Sequence, residues 1–262
     1  MAIRRGTIPP SPPLPIPTCT DQRPRMSLFL DLTPDERACI DGGAWFSKLS
    51  PALRDDILGR AAVRRMPHGG RVAARGAPAD EWCGIAKGSV RISSVSRSGK
   101  LVTLTYVEPG VWIGDISLVD GLPRTHDANA HGDTTLLVVR RADFRHLLEQ
   151  HSELCCALLK LECRRLRQMF DAFEELATQP LAGRLARQLL RLARSHGVPD
   201  GNHIRIGLPL AQEDLAQLLG ASRQRVNQEL KSMERENAIR IEPGGLVVRS
   251  RDALMRIIES DD

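Results

Sequence analysis

The chain has 262 residues, 42% of them hydrophobic, enough to bury a full core and more consistent with two modest domains than with one large one. Its formal charge of +5 suits an anionic partner but is too mild to decide the matter alone. The 6 cysteines form no CxxC pair and no framework spacing, and no apolar run nears the roughly 20 residues of a membrane span. These absences argue against a metal cage, a disulfide scaffold and a membrane partner, and for a soluble cytoplasmic chain.

Six prolines between Pro9 and Pro17 favour extended chain, so residues 1–37 are expected to form a disordered Pro-rich tail. From Trp45 to Val139 the pattern changes to short β-type runs at Val90–Ser93, Leu101–Val107 and Thr134–Val139, separated by turn signals such as Gly69-Gly70 and Pro109-Gly110. An antiparallel β-roll with helical flanks is predicted for residues 38–152. A long helix follows over 153–179, with Leu154, Leu158, Leu161, Met169, Phe173 and Leu176 in a near-heptad stripe interrupted by Arg164, Arg165 and Arg167. The helix either packs on its own domain or pairs in a dimer, and a run of nearly four heptads joining two domains favours the dimer. Cys155, Cys156 and Cys163 on this helix read as small buried packing residues, and His146 and His151 as surface histidines.

The last domain, residues 180–262, opens with a helix from about Leu181 to His196 whose Leu185, Leu189, Leu190 and Leu192 point inward. Two shorter helices come next. Leu215, Ala216, Leu218 and Leu219 make one apolar face, and Val226, Leu230 and Met233 recur at i, i+4 and i+7 on the second. Gly220 supplies the turn and Ser222 the cap between them. Arg223, Gln224, Asn227, Gln228 and Lys231 are left outward, side chains that donate to base edges and phosphates. The runs Ile239–Ile241 and Leu246–Val248 around Pro243-Gly244-Gly245 form a β-hairpin, hence a wing.

This order, with the string from Gln212 to Asn227 and the following Met233–Ile239, resembles the Crp/Fnr family of bacterial transcription regulators over about Trp45 to Ile257. The resemblance implies an α+β fold: an N-terminal antiparallel β-roll of the cyclic-nucleotide-binding type, a long dimerisation helix and a C-terminal winged helix-turn-helix. It implies a homodimer on double-stranded DNA with an inverted-repeat operator, RNA polymerase as a further partner, and no enzymatic activity. Ser222, Arg223, Gln224, Asn227, Gln228 and Lys231 would be the DNA contacts. Ala211 departs from the family, where a capping Thr or Ser is common.

The segment Pro109–Thr125 is similar to the phosphate cassette of cyclic-nucleotide-binding domains. By that resemblance Gly114, Asp115 and Ile116 open a short helix toward the ligand, Arg124 meets its phosphate, Asp115 its ribose hydroxyl, and Thr125 adds a hydroxyl. Asp115 stands where a Glu is usual, His126 where a small residue is common, and Met169 and Phe170 where the cyclic-AMP receptor reads adenine with Thr-Ser. Adenine thereby loses polar partners, so a cyclic nucleotide is one effector class and no cofactor is assigned outright. Three alternatives stay open: an empty roll closed by an internal Arg124–Asp115 pair, an effector-independent DNA binder, and a regulatory module acting on a protein partner. No intact phosphate loop, GxSxG elbow or HExxH helix supports an enzyme.

Overall fold

The computed structural model describes residues 31–97 and 99–260. Residues 1–30 of the expected tail lie outside the described residues. The rest of that stretch is partly ordered, because α1 (Pro34–Asp41) begins inside it. Thr33 caps α1 through a reciprocal box with Glu36, and Pro34 fits the first helical position, where its missing N–H costs nothing.

After α1, a short 3-10 turn (Phe46–Lys48) and α2 (Pro51–Arg60) lead into the roll. Its strands are β1 (Ala62–Met66), β2 (Arg71–Ala73), β3 (Glu81–Val95), β4 (Leu101–Val107), β5 (Trp112–Ile113) and β6 (Asp127–Arg140), with α3 (Asp115–Asp120) after β5. The sheet is antiparallel in the order β1-β6-β3-β4, with β2 paired to β6 and β5 to β3. All three sequence-read runs fall within its strands. Trp82 and Trp112 meet at 4.3 Å between ring centroids, flanked by Phe46 and Phe144. Gly84 makes room for this cluster, since a Cβ there would lie 2.7 Å from the Trp112 ring.

Helix α4 (Arg141–Gln150) precedes the long helix α5 (Ser152–Thr178), and His151 marks the break between them. His151 is half-buried and its Nε2 lies 3.0 Å from Asp56 Oδ2, so it is a tethering residue at the break and not a free surface histidine. The stripe on α5 divides between two faces. Leu154 and Leu158 are buried in the roll, and Trp45 Nε1 donates to Ala157 O at 3.0 Å. Leu159, Leu166, Met169, Phe170, Phe173 and Leu176 are instead 50–72% exposed. Cys155, Cys156 and Cys163 are exposed as well, contrary to the expectation of buried packing.

The second domain comprises α6 (Leu181–Ser195), β7 (Gly197–Asp200), β8 (His203–Ile206), α7 (Gln212–Leu219), α8 (Arg223–Arg235), β9 (Ile239–Glu242), β10 (Gly245–Val248) and α9 (Arg251–Ser260). Its four strands run β7-β8-β10-β9, all antiparallel. The wing is as read, but the β7–β8 hairpin was not anticipated: its strands are four residues long with Pro199 in one of them, too short for alternation to register. One core joins α6, α7, α8, α9 and the wing, and Tyr106 of β4 is inserted into it from the roll. None of the described helices is long and apolar enough to cross a membrane.

Candidate nucleic-acid interface and effector pocket

Helix α8 is positioned from inside. Val226, Leu230 and Met233 are at most 2% exposed, and Glu234 Oε1 accepts from Ile241 N at 2.8 Å, tying the helix to the wing. Ser222 caps it, its Oγ accepting from Arg225 N at 3.3 Å, and Gly220 turns the chain at φ +64°. Arg184 of α6 donates to Leu219 O at 3.1 Å, satisfying a terminal carbonyl of α7. Ala211 offers no oxygen to cap α7, yet half of a capping box survives, because Asp214 Oδ2 accepts from Ala211 N at 2.8 Å.

Of the six predicted contact residues, Ser222, Arg223, Gln224, Gln228 and Lys231 are exposed on α8. Asn227 is half-buried and its Oδ1 accepts from Gln212 Nε2 at 3.0 Å. Sequence reading passed over Gln212 and the exposed Arg225. Gln212 sits on the other helix, beyond the reach of a single-helix periodicity argument. The wing's Arg240 and the adjacent Arg205 of β8 are already engaged: Arg205 pairs with Glu242 and Asp200, and Arg240 with Asp200 at 3.2 Å and Glu242 at 2.7 Å. The turn at Pro243-Gly244-Gly245 therefore has backbone to offer a phosphate more readily than guanidinium.

In the roll, Gly114 caps α3 at φ +99°, and a Cβ there would stand 2.5 Å from Arg124 Nη1 and 2.9 Å from Glu81 O. The backbone thus needs glycine both for its left-handed turn and for the arginine beside it. Arg124 donates to Gly114 O at 3.1 Å and to Glu81 O. It does not pair with Asp115. Asp115 is 2% exposed, and its Oδ2 accepts from Arg165 Nη1 at 2.7 Å, while its Oδ1 has no partner among the described residues. Arg165 Nη1 also meets Glu162 Oε1 at 2.6 Å, and Nη2 donates to Trp112 O at 2.6 Å. The expected internal pair is replaced by a strap from α5, because Arg124 is occupied by carbonyls and Arg165 reaches the buried carboxylate.

Burial and the neighbouring Asp115 push the Glu162 carboxyl up to about 7 against the pull of Arg165. Thr125 is exposed and its hydroxyl lies 2.9 Å from His126 Nδ1, with burial and Arg75 holding the His126 imidazole below its ordinary range. Ile116 is 47% exposed. Met169 and Phe170 are 68% and 64% exposed on α5, so within one chain they enclose no ligand. Arg165 was read only as an interruption of the apolar stripe. That interruption was the available signal, since a charge inside such a stripe needs a partner.

A β-roll with this glycine-led cassette, joined through α5 to a winged helix-turn-helix, defines a DNA-binding transcription regulator with a sensor domain. The profile of the cyclic nucleotide-binding domain matches residues 63–151, and that of the Crp-like helix-turn-helix domain residues 183–257. The chain is 32% identical over 190 residues to a CRP-like cAMP-activated global transcriptional regulator of Mycobacterium tuberculosis, covering 72% of this chain and 85% of that protein. It is 30% identical to the cyclic AMP receptor protein of Thermus thermophilus, over 83% and 98% of the two chains. A transcriptional regulator of the CRP/FNR family, also from Thermus thermophilus, superposes with a TM-score of 0.65 at 25% identity, over 76% of this chain and all of that one. The chain belongs to the Crp/Fnr family of transcription regulators.

Proposed function

We propose that this regulator acts in the cytoplasm as a homodimer, pairing through the exposed face of α5 and binding an inverted-repeat operator with half-sites one helical turn apart. It carries no enzymatic step and meets RNA polymerase at the promoters it controls. The observation that carries this reading is the divided α8: a fully apolar buried side and a solvent side of Ser222, Arg223, Gln224, Gln228 and Lys231, with half-buried Asn227 at its edge. Arg223 is suited to a bidentate pair with guanine, and Gln224 and Gln228 to adenine.

The effector is a cyclic nucleotide. The unpartnered Asp115 Oδ1 suits a ribose hydroxyl, and Arg124, fixed by two carbonyls and backed by the Gly114 turn, suits a phosphate. Asp115 is tied to α5 through Arg165, so a hydroxyl drawn to Asp115 competes with that guanidinium and alters the seating of the helix. Ile116 and Thr125 border the same cassette. Met169 and Phe170 would meet a base only from the paired helices, and there offer apolar and aromatic contact without hydrogen bonds. Operator selection with and without cAMP, cGMP and cyclic dinucleotides tests both parts. An operator whose affinity none of them changes sinks the nucleotide switch; an Arg223→Ala variant with unaltered base preference sinks the assignment of α8.

A further inference from the structure

Gln212 is the first residue of α7, but its side chain leaves that helix and engages α8, where Nε2 donates to Asn227 Oδ1 at 3.0 Å. Asn227 follows Arg223 by four residues and Gln224 by three, which places all three side chains on one face of α8. Both Gln212 and Asn227 are half-buried, so water competes weakly for the bond. Among the described residues no group accepts from Asn227 Nδ2. One end of the amide is fixed by protein and the other is free.

We propose that Gln212 is a positioning residue for base readout: by holding the Asn227 carbonyl it leaves only the Nδ2 donors of Asn227 facing the major groove. A free asparagine pairs with adenine by donating to N7 and accepting from N6. With its carbonyl turned toward Gln212, Asn227 does not present that acceptor to the groove. It favours edges that only accept, guanine N7 and O6 or thymine O4, and disfavours the amino groups of adenine and cytosine. This inference rests on α8 being the base-facing helix.

The test is operator selection from randomised duplex DNA with the full-length chain and with Asn227→Ala, Gln212→Ala and Gln212→Glu. Asn227→Ala is expected to flatten the preference at one symmetric pair of positions, with relative affinities there falling by about tenfold. Gln212→Ala lets the amide turn and partly flattens the same positions. Gln212→Glu can only accept, so it takes the Nδ2 donor, turns Oδ1 to the groove and moves the preference at those positions toward adenine or cytosine. If the Gln212 variants weaken every sequence equally, or if Asn227→Ala leaves the preference unchanged, Gln212 touches backbone or merely supports the fold and the inference is wrong. A parent chain that enriches no sequence overturns the reading of α8 as well, a failure distinct from uniform weakening.

Discussion

Glu162 and Asp115 share one guanidinium nitrogen of Arg165, at 2.6 and 2.7 Å, and the consequence is a proton retained near neutrality. The Glu162 carboxyl rises from an ordinary value of 4.5 to about 7, so the folded chain holds a proton that the unfolded chain releases in this range. Its contribution to stability is full below about 4.5 and is lost as pH rises through about 7. In Glu162→Gln that slope should disappear, and melting temperatures measured from about pH 4 to about pH 8 should fall less toward neutrality than those of the parent. Parallel curves for the two proteins would mean that Glu162 titrates as a free carboxyl. Gly114 makes a second residue-scale case. In Gly114→Ala the φ of +99° and the 2.9 Å approach to Glu81 O cannot be relieved by moving a flexible side chain alone. The variant should lose about 1–3 kcal/mol in denaturant unfolding, and Arg124 should be displaced from its carbonyls. Unchanged stability would show that the cassette turn is soft.

At the scale of elements, α5 is two helices in energetic terms. Its first half contributes Leu154 and Leu158 to the roll, and its second presents Leu166, Phe170 and Phe173 to solvent in a single chain. Leu166 and Phe173 are seven residues apart, the spacing by which a parallel pair of helices brings like positions together. Replacing both by Glu should convert a dimer to a monomer in sedimentation velocity while leaving the roll's aromatic cluster, and hence its tryptophan fluorescence, intact. A dimer that survives would place the partner elsewhere. Much of this was legible beforehand: the three longest strands of the roll, both reader helices, the wing and the outward face of α8 follow from periodicity and from Gly220 and Ser222. The less legible parts are those where a side chain crosses between elements. Apolar spacing on α5 does not say which leucines face their own roll. Nor does the segment Gly114–Arg124 disclose that Asp115 is met by an arginine fifty residues on, or Asn227 by a glutamine from the preceding helix.

Across the whole molecule, the two domains are joined by more than α5. Tyr106 of β4 lies in the reader's core, Thr103 Oγ1 donates to Gln217 Oε1 at 3.4 Å, and His131 of β6 donates from Nε2 to Pro209 O at 2.6 Å. Helix α7 thus rests on the roll, while α8 remains free on its polar side. Burial holds the His131 imidazole below its ordinary 6.5; His68 and Arg91 push the same way, and the Pro209 carbonyl and Asp214 oppose them. A histidine kept neutral by folding contributes stability that is present above that ordinary value and is lost as pH falls through the lowered one. His196, half-buried and pushed down to about 4, has the same sign further into acid. The contact between roll and reader should therefore loosen as pH falls below about 6.5, seen in small-angle scattering as a larger radius of gyration while the roll's tryptophan fluorescence is unchanged. His131→Gln keeps a donor for Pro209 and removes the titration, so its radius should stay constant over the range where the parent expands. If both proteins expand together, the acid-sensitive group lies outside this contact, and α7 is held to the roll by Tyr106, its apolar surroundings and the Thr103–Gln217 bond.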